Sequence, residues 1–122
     1  MSTIAIMNLT RSASLANAAT VAADPFTRFI GLLGKRSLPS GGGLLLRPCS
    51  SIHMFGMRFP IDAVYVAADN TIVKMVSHLA PWQIGPIVPQ AEYIIELPAG
   101  TIATTTTCIG DQLSLEQNAS HR

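Results

Sequence analysis

A compact α+β domain, rich in short and mainly antiparallel strands and carrying one N-terminal helix at about Asp24–Leu33, is the fold that this sequence predicts. Three observations lead there. Short apolar runs are cut at close intervals by glycine and proline, the pattern of small antiparallel sheets rather than of βαβ units. A single stretch, Asp24 to Leu33, carries a helical apolar stripe. The chain has 122 residues, which suits one domain with one real core and no need of disulfides or metal.

The elements follow in order. Ile4 to Leu9 is apolar and reads as the first strand, and Leu15 to Val21 returns as its antiparallel partner despite its alanines. Asp24 is a natural N-cap, and Pro25 sits where a missing N–H costs nothing. Phe26, Phe29, Ile30 and Leu33 then recur at helical spacing. Gly34 stops the run, and Lys35 and Arg36 follow at the negative end of the dipole. Leu38 to Gly43 (LPSGGG) is a loop; it lacks the Lys-Ser/Thr and the preceding strand of a phosphate loop.

Leu44 to Leu46 is a short strand ending at Pro48. Ile61 to Ala67 and Thr71 to Val76 form a hairpin about the turn Ala68-Asp69-Asn70. The three prolines between Pro81 and Pro89 exclude a regular element. Glu92 to Leu97 is another strand, and alternation turns Glu96 away from the Ile95 and Leu97 face, which reads as solvent-facing. Thr101 to Thr107 fits either a strand or a short helix. Gln112 to Leu115 is the last strand. The expected organisation is one domain over residues 1–116 with a polar tail over 117–122.

Composition narrows the function. Apolar residues make up 48% and charged residues 12%, with eight Lys+Arg against seven Asp+Glu. This balance gives no basic face for nucleic acid and no attraction to anionic lipid. No run approaches a transmembrane span, and the N-terminus lacks the basic-then-apolar order of a signal peptide. The expectation is a cytoplasmic protein without membrane or nucleic-acid partners, with export as the alternative. The low charge also suits an apolar face or a homodimer contact. Cys49 and Cys108 form no CxxC pair and read as reduced, buried thiols rather than a bridge.

Chemistry-bearing residues concentrate in one stretch, LRPCSSIHMFGMRFPIDA, from Leu46 to Ala63. Taken as extended chain, it places His53, Phe55, Met57 and Phe59 on one side and Met54, Gly56 and Arg58 on the other. The favoured reading is a non-covalent pocket for a small polar or anionic ligand. It is lined by His53, Arg58, Asp62, His78 and Trp82, with Arg58 meeting a carboxylate or phosphate and Trp82 as a flat wall. A second reading is a soft-metal, copper-type site of Cys49, His53, Met54 and Met57, although methionines more often fill cores. A third is a hydrolase with Cys49 (or Ser50, Ser51), His53 and either Asp62 or Glu96, without any nucleophile elbow. A structural or interaction role is the fourth. No cofactor is named by the residues.

The motifs as a set resemble a known family. CSSIHMFGMRFPIDAVYV, then LAPWQIGP, ELPAG and IGDQL are similar to the small bacterial and archaeal family catalogued as domain of unknown function one hundred and ninety-two. Cys49, Ile52, His53 and the block Phe55 to Asp62 carry its signature, with Pro81-Trp82, Glu96 to Gly100 and Gly110-Asp111 further on. Asn8, Thr10 and Arg11 resemble its first-strand pattern, and Arg28 with Gly31 to Gly34 resemble its Arg-x-x-Gly-Leu-Leu-Gly helix. Met54 departs from the pattern, where a small polar residue such as Thr is commoner. The resemblance implies a small β-rich fold and directs attention to the signature stretch. It implies no reaction.

Overall fold

The computed structural model describes residues 3–24, 27–28 and 31–119. They contain seven strands: β1 (Thr3–Asn8), β2 (Ala13–Ala22), β3 (Gly42–Leu46), β4 (Ile61–Val66), β5 (Ile72–Leu79), β6 (Tyr93–Pro98) and β7 (Leu113–Gln117). A helix, α1 (Thr101–Thr105), stands between β6 and β7. One sheet holds all seven strands in the order β5-β4-β6-β3-β2-β1-β7. Every pair is antiparallel except β2 with β3. The sheet curls until its outer strands meet at one corner, where Thr71 bridges Gln112 and the Ile72 N–H reaches the Asp111 carbonyl at 2.9 Å.

The helix expected at Asp24–Leu33 is a correction to the predicted fold: the α-helix described over its full span is α1, near the C-terminus, and of the expected span only Thr27 and Arg28 are described as helical. Pro25, Phe26, Phe29 and Ile30 of that span lie outside the described residues. Asp24 does accept the Thr27 N–H at 2.8 Å, as a cap should. Gly31, however, takes φ +50, and residues 31–34 form a turn. A left-handed residue there ends helical backbone before Leu33.

At α1 it is tertiary structure that overrides propensity. Threonines are poor helix formers, but the turn at Gly100 (φ +99) is held by a carboxylate from another element. Asp62 on β4 accepts the Gly100 N–H at 3.1 Å and the Ile102 N–H at 2.9 Å. Ile102 then buries itself in the core.

The sheet is covered on both faces. On one, Leu45, Val64, Val66, Tyr93, Ile95 and Leu97 pack with Ile102. On the other, Leu44, Leu46, Ala63, Tyr65 and Ile94 pack under Leu32, Ile52, Met54 and Met57. This explains why β4 is buried at every position, as central strands covered on both faces are. The alternation expected across the signature stretch breaks at Gly56 (φ +80). A turn at Phe55-Gly56 puts Met54 and Met57 both inside, and a Cβ on Gly56 would come within 3.1 Å of Leu33.

Candidate functional site

The signature segment after β3 and the proline-rich segment after β5 pair as an irregular ribbon. The Met54 N–H donates to the Gln83 carbonyl (2.8 Å), Gly85 to Ile52 (2.9 Å), Val88 to Ser50 (2.8 Å) and Trp82 to Met54 (2.8 Å). The ribbon is pinned to the sheet through Tyr65, whose hydroxyl donates to the Pro86 carbonyl at 2.8 Å. Gly85 makes room for this contact: a Cβ there would stand 2.6 Å from the Tyr65 hydroxyl.

Between this ribbon, Arg28 with residues 31–33, and the sheet lies a cavity of about 390 Å³. Leu32, Leu46, Ile52 and Met57 wall it, Cys49, Ser50 and Ser51 add polar atoms, and His53 and Phe55 stand at its mouth. Arg28 lines it as well, donating from one guanidinium nitrogen to the carbonyls of Arg47 (3.3 Å) and Pro48 (3.2 Å). Glu96 also lines it, projecting from β6 opposite Leu44 and the small Ala63.

Glu96 is the unusual group. Its residue is 6% exposed, and among the described residues its carboxyl meets no hydrogen-bond donor and no cation. Burial alone pushes its pKa up to about 7. Nearby, burial raises the Cys49 thiol, with a further push from Glu96 that outweighs Arg28. The thiol donates to the Ser51 carbonyl at 3.1 Å. Tyr65 is held up to about 12 by burial, with Cys49 and Glu96 adding to the rise. These shifts disfavour a thiolate at Cys49, the opposite of what a cysteine nucleophile requires.

Of the residues expected to share a pocket, His53 lines this cavity, and Arg58, Asp62, His78 and Trp82 do not. Asp62 is fully buried with both oxygens committed: one caps α1 and the other accepts the His78 N–H at 2.9 Å. The His78 ring stands 3.9 Å from that oxygen and is itself exposed. Arg58 is exposed, and its guanidinium meets no partner among the described residues. Trp82 is 67% exposed and lies beside Phe55. For the soft-metal set, Cys49, His53 and Met57 line the cavity while Met54 is sealed in the core. Cys49 is half-buried and Cys108 exposed, and both are free.

A second polar cluster closes the far end of the sheet. Asp111 accepts from Asn8 (2.9 Å), from the Arg11 Nε (3.0 Å) and Nη2 (3.3 Å), and from the Cys108 N–H (2.9 Å). Desolvation pushes its carboxyl up, but these donors outweigh it and hold the pKa down to about 2. Thr10 accepts the Gln112 N–H at 2.9 Å. With its donors and acceptors matched, this cluster locks the β1–β2 turn to the chain before β7.

Comparison with known proteins bears on family and fold. The DUF192 family profile, described as Uncharacterized ACR, matches residues 7–115. The chain belongs to this family. A UPF0127 protein of Pyrococcus furiosus is 27% identical over 115 residues, 88% of this chain and 95% of that protein. One of Thermococcus sibiricus is 34% identical over 67 residues, 55% of this chain but 43% of the relative. Two solved structures share the fold. A protein of unknown function from Novosphingobium aromaticivorans has a TM-score of 0.79 at 15% identity, covering 92% of this chain and 83% of that one. A Sinorhizobium meliloti protein described as a candidate transcription regulator has a TM-score of 0.75 at 24% identity, covering 93% and 92%.

The DUF192 signature therefore divides by role. Asn8, Arg11, Asp62 and Asp111 serve the fold, whereas Cys49, His53, Phe55 and Glu96, with Arg28 upstream, surround the cavity. Reading Glu96 as solvent-facing missed it. Alternation did turn it away from Ile95 and Leu97, but the opposite face is roofed by the signature segment. A usable signal was the apolar character of both faces of β4, its neighbour in the sheet. No described helix is long and apolar enough to cross a membrane.

Proposed function

We propose that this DUF192 protein binds a small polar organic molecule in the cavity between Glu96, Cys49 and Arg28. The observation that carries the reading is the Glu96 carboxyl, buried and without a donor yet open to a 390 Å³ space. Its oxygens face the cavity and not a protein donor, so a ligand hydroxyl placed there finds an acceptor in a partly desolvated setting, where a hydrogen bond counts for more than in water. The cavity has the size and makeup of small-ligand sites, apolar walls with a few convergent polar groups. A simple anion fits less well than the sequence suggested, because the unpartnered group is itself acidic. A neutral ligand with donors for Glu96 and acceptors for the Arg28 end satisfies both.

The test is a ¹H–¹⁵N titration of the full chain with a panel of amino acids, hydroxy acids and monosaccharides. A binder gives saturable shifts clustered on Cys49, His53 and Glu96, and Glu96→Leu abolishes them. If no panel member moves those signals, or if the Leu variant binds as well as wild type, the reading is wrong.

A further inference from the structure

The cavity does not end at its mouth. The His53 and Phe55 rings that line it stack with centroids 4.9 Å apart and planes at 29°, and Trp82 continues the series 6.1 Å from Phe55 at 30°. Phe55 is 43% and Trp82 67% exposed, so large apolar ring surfaces stand in water beside a half-satisfied polar cavity. They are not loose surface groups. The His53 imidazole accepts the Phe55 N–H at 3.3 Å. Trp82 is held at φ +71, a conformation that bulky L-residues avoid, by its N–H bond to Met54 and by the ribbon around it. The backbone that carries this aromatic shelf is therefore held in advance, which lowers the ordering cost of binding.

The geometry points to an oligosaccharide as the occupant, with a terminal sugar ring in the Glu96 cavity and the following rings laid on the exposed ring surface of Phe55 and Trp82, which the stacked His53 backs. This rests on the proposed function and names its ligand class. A pyranose is apolar on its C–H faces and polar at its edges, which matches aromatic rings outside and a carboxyl, two serines and an arginine within. A nucleotide would bring phosphate toward the unpartnered carboxyl. A cationic amine gains from Glu96 but meets Arg28 in the same cavity.

Trp82 is the sole tryptophan, so its fluorescence reports on the shelf directly. The full chain is titrated with cellotetraose, maltotetraose and tetra-N-acetylchitotetraose, and the Cys49 and Glu96 amide signals are followed in parallel. Saturable binding of at least one of the three, seen by both readouts, is the expected result. Trp82→Ala should weaken it roughly tenfold or more with an unchanged melting temperature, and Trp82→Phe should restore most of it. Absence of any tryptophan response to all three sugars overturns the inference, as does sugar binding indifferent to Trp82→Ala. Fluorescence that instead tracks protein concentration identifies a second copy as the cover of the shelf and also overturns it. The two proposals fail separately. Small molecules that move Glu96 while Trp82 stays silent leave the cavity reading standing alone, whereas sugars that act on Trp82 without moving Glu96 bind outside the cavity and overturn this inference, leaving the cavity reading to its own panel.

Discussion

Replacing Glu96 by glutamine should change how stability depends on pH, with a sign opposite to that of most carboxylates. Glu96 is 6% exposed, and burial raises its pKa from 4.5 to about 7. Between those values the folded state holds a proton that the unfolded state has released. Stability is therefore greatest below pH 4.5, falls as pH rises, and levels off once pH has passed about 7. At about 1.4 kcal/mol per pH unit, the interval corresponds to a loss of about 3 kcal/mol, a large share of the 5–15 kcal/mol typical of a domain. In melting temperature that is on the order of 10 °C for a chain of this size. Glu96→Gln keeps the shape and removes the titration. The assay is urea unfolding of both proteins from about pH 4 to about pH 8, where subtracting one curve from the other cancels every other titrating group. The difference should climb in favour of the glutamine variant as pH rises. A flat difference, or one that favours wild type at high pH, refutes the claim that this carboxyl lies buried and unpartnered.

Other expectations follow from the same contacts. Asp62→Ala should destabilise by about 3–5 kcal/mol, because three backbone N–H groups lose one charged acceptor, and α1 amides should lose hydrogen-exchange protection first. Asp62→Asn should recover little, since an amide presents one acceptor where two oxygens are used. Asp111→Ala should cost about 2–4 kcal/mol by stranding Asn8 and the Cys108 N–H. Its carboxyl is held down to about 2, so its contribution is complete above pH 3.8 and fades as pH falls through 2, visible as a shift of the acid-unfolding midpoint in the variant. Iodoacetamide at pH about 8 should label exposed Cys108 well before half-buried Cys49, as mass spectrometry of the peptides will show; prior labelling of Cys49 contradicts the raised thiol pKa.

The residues alone carried the β-rich class, the β4–β5 hairpin and the approximate place of nearly every strand, because short apolar runs between glycine and proline turns leave the backbone few alternatives. They also marked the signature stretch and the Trp82 segment as the region of interest. Local pattern failed where distant parts of the chain set the environment. A threonine run became α1 because a β4 carboxylate caps it across the fold, while the stripe after Asp24 was cut short by a left-handed Gly31. Asp62, legible as a pocket carboxylate, went to that cap. Glu96, legible as a surface residue, became the floor of a cavity, since period-two alternation tells which face a side chain takes but not what covers that face. Covering is a property of the folded chain: the segments at 31–33 and 49–57 close over β6 from far along the sequence, and the burial they impose sets the chemistry of the site.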